Sequence, residues 1–360
     1  MLQSTLSRAS AAGPDVDVEG DQGREKCGVV AVWGHPRNVE LTYLGLYAQQ
    51  HRGQEAAGLA ITNGAQIEGH VGMGLVPEVL TEQAMTRLRG YGPRACIGHN
   101  RYSTAGGSLA CNAQPLIESY HGGRVALAHN GNLINGHPLR KVYERRGHIF
   151  HTTSDTEAII HVFASPEQQN ELDPVAATLR RLQGAFSLMM MFPDRIEIAR
   201  DPWGWRPLVL GWITEDGCRY PVAASETVAL DVMGATFDRE VEPGEVVTFS
   251  NDGVKSRRFA APAPRLALCA FEHVYFASPA SNVFGENVQM VRERLGEQLS
   301  REAAVEADYV MPMPDSGRSA VKFEKREHIY KQQPIRETLR LSVDKRSGVN
   351  TLCTKGFKEI

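Results

Sequence analysis

Apolar positions along the chain fall into short runs divided by turn residues. CGVVAVWG (27–34) is a near-continuous apolar run ending at a glycine, and it predicts a buried strand. LTYLGLYAQQHRG (41–53) predicts a helix closed by Gly53. LAITNGAQIEGHVG (59–72) predicts two strands joined at Asn63-Gly64, a dipeptide that tolerates the positive φ of a tight hairpin. ACIGHNRYST (95–104) and RVALAHNGN (124–132) predict further strands that run into polar ends, and helices are expected at 138–146 and 155–165. From 184 to 258 strand follows strand: AFSLMMMF, RIEIAR, PLVLGW, YPVAAS, GEVVTFS and GVKSRRF. Turn residues such as Pro243-Gly244 and Asp252-Gly253 divide them. Strands in runs, with helices clustered elsewhere, predict an α+β layered sandwich rather than alternating βαβ units.

The Pro/Ala stretch AAPAPR (260–265) reads as a linker. A second unit begins near Leu266, with a helix expected at 288–305 and a short strand in ADYVMPMP (307–314). Beyond Arg318 the chain becomes charged, with few apolar clusters and no internal repeat. The 360 residues are 42% hydrophobic and 22% charged, ordinary values for a globular protein. A formal charge of −3 argues against a dominant nucleic-acid surface. No apolar run approaches the ~20 residues that span a bilayer. Residues 1–26 lack the apolar core of a secretory signal and read as a disordered leader, so a cytoplasmic location is expected. The six cysteines (Cys27, Cys96, Cys111, Cys218, Cys269 and Cys353) form no C-x-x-C pair. Each is by default a reduced, small, buried hydrophobe.

Four segments carry the parts that hydrolysis of a glutamine side-chain amide requires. Cys27 follows Lys26; cutting the bond between them gives Cys27 a free α-amine with a pKa near ~7.7–8.0, suited to base catalysis beside its own thiol. In GHNRYST (98–104), Arg101 stands at a strand end, where a guanidinium grips a carboxylate with two hydrogen bonds; a surface ion pair is the other reading. In AHNGNL (128–133), the Asn130 amide and the Gly131 N–H can form an oxyanion hole, or the pair is a simple turn. In TTSDTEAI (152–159), Ser or Asp caps a helix, or Asp155 holds a substrate ammonium.

The motifs CGVVAVWG, QQHRGQEAAGLA, GHNRYST, HNGNL and SDTEA, in this order, resemble the glutamine amidotransferases whose catalytic cysteine is N-terminal. Three later segments, DPWGWRPLVLG (201–211), ASETVALDVMGATFDREVEPGEV (224–246) and CAFEHVYFASPASNVFGENV (269–288), resemble the amidophosphoribosyltransferase family. The resemblance covers about residues 24–320. It implies a four-layer αββα N-terminal-nucleophile sandwich over 27–259, followed by the start of an α/β phosphoribosyltransferase domain over 266–318. Residues 1–26 are then a self-cleaved propeptide, and 319–360 an unmatched polar tail. By the same resemblance Cys27 is the nucleophile, Asn130 and Gly131 stabilise the oxyanion, and Arg101 and Asp155 bind glutamine's carboxylate and ammonium. HRGQE (51–55) reads as structural support or a helix end. The implied substrates are glutamine and phosphoribosyl pyrophosphate, in the first committed step of purine synthesis. Ser316 matches a magnesium-proximal position, and Cys269 matches the first ligand of an iron–sulfur cluster found in one branch. Relatives of this kind assemble as homo-oligomers.

A cluster needs four thiolates, and Cys269 has no partners at family-like places. The acidic pair and Gly/Thr loop that grip ribose phosphates are not found after Arg318, and Ser278 and Ala280 stand where relatives carry Arg and Asp. The expectation is a chain with an intact glutaminase half and an incomplete transferase half. Two other expectations compete: another amidotransferase such as glucosamine-6-phosphate synthase, and an inactive remnant acting as a regulatory or oligomerisation partner. The 266–318 stretch is expected to expose apolar surface.

Overall fold

The computed structural model describes residues 27–102, 109–303, 312, 317–321, 341–343 and 350–352. The expected leader, Ser316, Cys353, the strand at 307–314 and most of the tail lie outside the described residues. The main strands are β1 (Gly28–Trp33), β2 (Ala56–Thr62), β3 (Ile67–Met73), β4 (Ala95–Arg101), β5 (Leu116–Tyr120), β6 (Gly123–Leu133), β7 (Gly184–Met191), β8 (Arg195–Arg200), β9 (Val209–Glu215), β10 (Cys218–Ala224), β11 (Thr236–Glu240), β12 (Glu245–Ser250) and β13 (Gly253–Arg258). The main helices are α1 (Asn38–Ala48), α2 (Val76–Val79), α3 (Glu82–Gly90), α4 (Gly136–Arg145), α5 (Asp155–Ala164), α6 (Pro166–Gln169), α7 (Pro174–Leu179), α8 (Thr227–Met233) and α9 (Val288–Glu302).

The strands form two sheets with orders β11-β9-β10-β1-β4-β2-β3 and β13-β12-β8-β7-β6-β5. Alternation along each strand builds three apolar slabs. Val30 and Val32 of β1 join α1, α2, α3 and α8 on the outer face of the first sheet. Val29, Ala31 and Trp33 face Ala126, Ala128, Met189 and Ile198 of the second sheet. Leu127, Leu188 and Met190 turn outward to α4, α5 and α7. This is an αββα four-layer sandwich, the α+β architecture expected from the sequence.

The β2–β3 hairpin closes from Thr62 opposite Ile67, with Gly64 at φ +94° and the Asn63 side chain accepting from the Ala65 and Gln66 N–H groups. The helix expected to end at Gly53 stops at Ala48. A single 3₁₀ turn, Gln50–Arg52, follows, and Gly53 is extended at φ −158°. A Cβ on Gly53 would stand 2.6 Å from the Arg101 backbone nitrogen, so close approach to β4, rather than a left-handed cap, is what requires glycine there.

The 260–265 stretch is held more closely than a free linker. Ala263 N–H donates to the Pro202 carbonyl and Ala267 N–H to the Trp203 carbonyl. Next comes a short π-helical stretch, Glu272–Phe276, and then α9. Leu266, Leu268, Phe271, Val274 and Tyr275 are exposed, as are Met290, Leu295 and Leu299 of α9. Among the described residues no helix is long and apolar enough to cross a membrane.

Candidate active site

Strand parity brings three of the expected site residues between the sheets. Cys27 continues the Val29, Ala31 and Trp33 face toward the second sheet, and Arg101 continues the Ala95 and Ile97 face in the same direction. Asn130 continues the Ala126 and Ala128 face toward the first sheet. The β1–β4 register pairs Gly28 with Asn100, which puts Cys27 beside Arg101. The Cys27 Sγ lies 3.8 Å from the Tyr102 carbonyl oxygen. All three residues are buried. Two contacts tie the sheets together here. His99 Nε2 donates to the His129 carbonyl at 3.0 Å, and Asn130 lies 3.4 Å from Ser225 Oγ, which accepts from Val29 N–H at 3.0 Å.

Gly131 sits at φ +152° opposite Phe186, and a Cβ there would lie 2.1 Å from the Ala185 carbonyl oxygen. Only glycine lets β6 pass at this point. Asp155 is the first residue of α5. Ser154 supplies the cap, its Oγ accepting from Thr156 N–H, which leaves the Asp155 carboxylate for other partners. Its Oδ2 accepts from Leu133 N–H at 2.8 Å, and Oδ1 lies 3.7 Å from His129 Nδ1. Burial raises the Asp155 carboxyl, but the His129 ring and the Leu133 and Thr156 N–H donors more than reverse this, so it stays ionised well into acid. Asp155 is thus an anion at a helix N-terminus, near the chain that carries Asn130 and Gly131.

Beneath Cys27 lies an ion cluster that no local motif reveals, apart from HRGQE as structural support. Arg52 Nε donates to the Cys27 carbonyl at 3.0 Å. Its two terminal nitrogens reach Glu226 at 2.6 Å and Glu272 at 2.8 Å, and all three side chains are fully buried. Arg206 lies 3.5 Å from Glu272, so two guanidinium groups balance two carboxylates. Burial alone lowers Arg52 and raises Glu226; their attraction reverses both, leaving Glu226 far below the ordinary carboxylate range. Glu226 also accepts from Ser278 N–H and Ser281 Oγ. Ser225, Glu226 and Glu272 stand inside segments that carry the family resemblance, and only that position signalled them.

Burial pushes the Cys96 thiol up to about 12, the mark of an inert core cysteine. Cys269 is half-buried, with Arg206 donating to its Sγ at 3.5 Å. Among the described residues no three His, Cys, Asp or Glu side chains converge as metal ligands. Among these residues Cys269 therefore lacks the thiolate set of an iron–sulfur cluster, and Ser316, matched to magnesium, lies outside them.

Residues 99–231 match the family model of a glutamine amidotransferase domain. The αββα sandwich is consistent with the fold of such amidotransferase domains. The chain is 44% identical over 297 residues to the amidophosphoribosyltransferase of Bacillus subtilis (strain 168), covering 82% of this chain and 61% of that relative. It is 43% identical over 303 residues to the chloroplastic amidophosphoribosyltransferase of Glycine max, covering 84% and 52%. The structure of glutamine phosphoribosylpyrophosphate amidotransferase from B. subtilis complexed with ADP and GMP superposes with a TM-score of 0.73 at 40% identity, over 82% of this chain and 62% of that one. The chain is a homologue of the amidophosphoribosyltransferases, an enzyme family, and spans about 61% of the B. subtilis relative's length.

Proposed function

We propose that this chain hydrolyses glutamine to glutamate and ammonia, as the glutaminase half of an amidophosphoribosyltransferase. The supporting observation is the convergence of Cys27, Arg101 and Asn130 on the inter-sheet faces at one end of β1, β4 and β6. In this reading the Cys27 α-amine, freed by removal of residues 1–26, takes the thiol proton. The sulfur attacks the amide carbon, and the oxyanion accepts from Asn130 Nδ2 and Gly131 N–H. Collapse of the tetrahedral intermediate breaks the C–N bond, and the α-ammonium returns its proton to the departing ammonia. Water then cleaves the thioester to glutamate and regenerates the thiol. Arg101 pairs with the substrate carboxylate and Asp155 with its ammonium.

The finer proposals rest on the relatives. Ammonia would pass to phosphoribosyl pyrophosphate, displacing pyrophosphate to give phosphoribosylamine, in a magnesium-dependent unit beginning near residue 266. The domain division at 26, 259 and 318, a homo-oligomer, a cytoplasmic location and the Ser316 assignment belong to the same proposal. Glutamate release by the purified chain, lost in Cys27→Ala, is the expected result. No release from folded protein with Cys27 at its N-terminus would sink the glutaminase reading. Pyrophosphate release from phosphoribosyl pyrophosphate with ammonia supplied tests the transferase half separately.

A further inference from the structure

Ser225 follows β10 and clasps β1 two residues after Cys27. Its N–H donates to the Val29 carbonyl, and its Oγ accepts from Val29 N–H, both at 3.0 Å. The Asn130 carboxamide meets the same Oγ at 3.4 Å from the opposite sheet, and both side chains are fully buried. One hydroxyl therefore joins the strand of the nucleophile to the residue assigned to the oxyanion.

A serine hydroxyl has one hydrogen and two lone pairs. Val29 N–H occupies one lone pair. With the Asn130 nitrogen facing Ser225, the second lone pair is used and the hydroxyl hydrogen finds no acceptor among the described residues. The Asn130 oxygen is then buried without a partner. Nitrogen and oxygen of a carboxamide are isosteric, so the hydrogen-bond network decides which of them faces the serine. With the oxygen toward Ser225, the hydroxyl donates to it and only the NH2 group is left open. That orientation leaves one unsatisfied group where the other leaves two, and an unmet buried polar group is costly. It also turns a donor, rather than a repelling oxygen, toward a developing oxyanion.

We infer that Ser225 is a positioning residue: its hydroxyl, itself held by Val29, donates to the Asn130 oxygen and presents the Asn130 NH2 group to the reacting carbonyl. The inference rests on the glutaminase reading. It makes Ser225 act through Asn130 on the transition state, so it touches kcat rather than substrate binding.

The test is a double-mutant cycle on the full chain, reading kcat and KM for glutamate release with thermal unfolding alongside. Asn130→Ala is expected to lower kcat roughly 10²- to 10³-fold. Ser225→Ala is expected to lower kcat about 10- to 100-fold with KM within about twofold, and Ser225→Thr to restore most of it. The double variant is expected to be no slower than Asn130→Ala alone, since the serine has nothing left to orient. Effects that multiply in the double variant, or a Ser225→Ala change confined to KM, would overturn the inference and leave the glutaminase reading standing. No release from folded wild-type protein with Cys27 at its N-terminus overturns both. Should Ser225→Ala fail to fold, Ser225→Cys enters the same cycle, because its weak S–H donor keeps the volume while weakening the bond to Asn130.

Discussion

The Arg52 guanidinium donates from Nε to the Cys27 carbonyl oxygen at 3.0 Å while its other two nitrogens hold Glu226 and Glu272. The backbone of the candidate nucleophile thus hangs from a buried cation clamped by two carboxylates. One of these, Glu226, follows β10, and the other stands in the π-helical stretch after the 260–265 segment.

Arg52→Met removes the cation that bridges two buried carboxylates. Denaturant unfolding is expected to show a loss of about 3–5 kcal/mol. Arg52→Lys is expected to recover little, because an ammonium cannot span the three acceptors that the planar fork reaches. A loss below about 1 kcal/mol would mean that the cluster relaxes freely, against its complete burial.

Gly131→Ala forces a Cβ to 2.1 Å from the Ala185 carbonyl oxygen at a φ of +152°. Strain at such a position costs about 1–3 kcal/mol, and relieving it shifts β6 beside Asn130. The expected outcome is a lowered melting temperature together with a drop in glutamine turnover. Unchanged turnover would detach Gly131 from the oxyanion role.

Asp155→Asn removes the charge proposed to hold the glutamine ammonium while keeping the shape that accepts from Leu133. KM for glutamine is expected to rise by roughly 10-fold or more, with a smaller change in kcat, because the ammonium is bound in ground and transition states alike. A fall in kcat with KM unchanged would place Asp155 at the reacting centre instead.

Two buried groups, His99 and Glu157, contribute to the acid limb of stability together with Glu226 and Asp155. Burial depresses His99 to about 3. The unfolded chain takes up a proton near ~6.5, so it binds more protons than the native state between those values and stability falls as pH is lowered through that window. Burial raises Glu157, but His161 and the His151 and Thr152 donors bring it down to about 2. Its stabilisation is complete above the ordinary carboxylate value near ~4.3 and is lost as pH falls toward 2. Both slopes have the same sign. His99→Gln is expected to flatten the loss between pH 6.5 and 4.5 while leaving the steeper loss below it, as read by denaturant midpoints across pH. An unchanged profile would show that His99 does not carry the first part of the limb.

Much of the fold was legible in the chain because burial imposes its period on the residues. The β1, β4, β6 and β7–β10 strands are apolar runs cut by turns, and α5 begins where TTSDTEAI places a capping serine. The α8 helix and β11 left no comparable trace. The helix is seven residues long, too short for a repeating face, and β11 is a largely exposed edge strand, TFDRE, with little apolar alternation. Gly53 was legible as special but for a different reason, since a close approach to β4 resembles a helix stop when only one strand of sequence is in view.

The chain by itself determined the strands that carry Cys27, Arg101 and Asn130, because apolar runs cut by turn residues are a local signal; which face meets the second sheet was not determined by it, since β1 and β4 are buried on both sides. It also determined the Asp155 helix start. Only the tertiary structure decided what supports them. Arg52 meets Glu226 across 174 positions and Glu272 across 220, and Ser225 meets Val29 across 196. A buried charge or hydroxyl needs a partner of matching chemistry, but nothing in its local sequence says where along the chain that partner lies. The folding of two sheets face to face makes that choice.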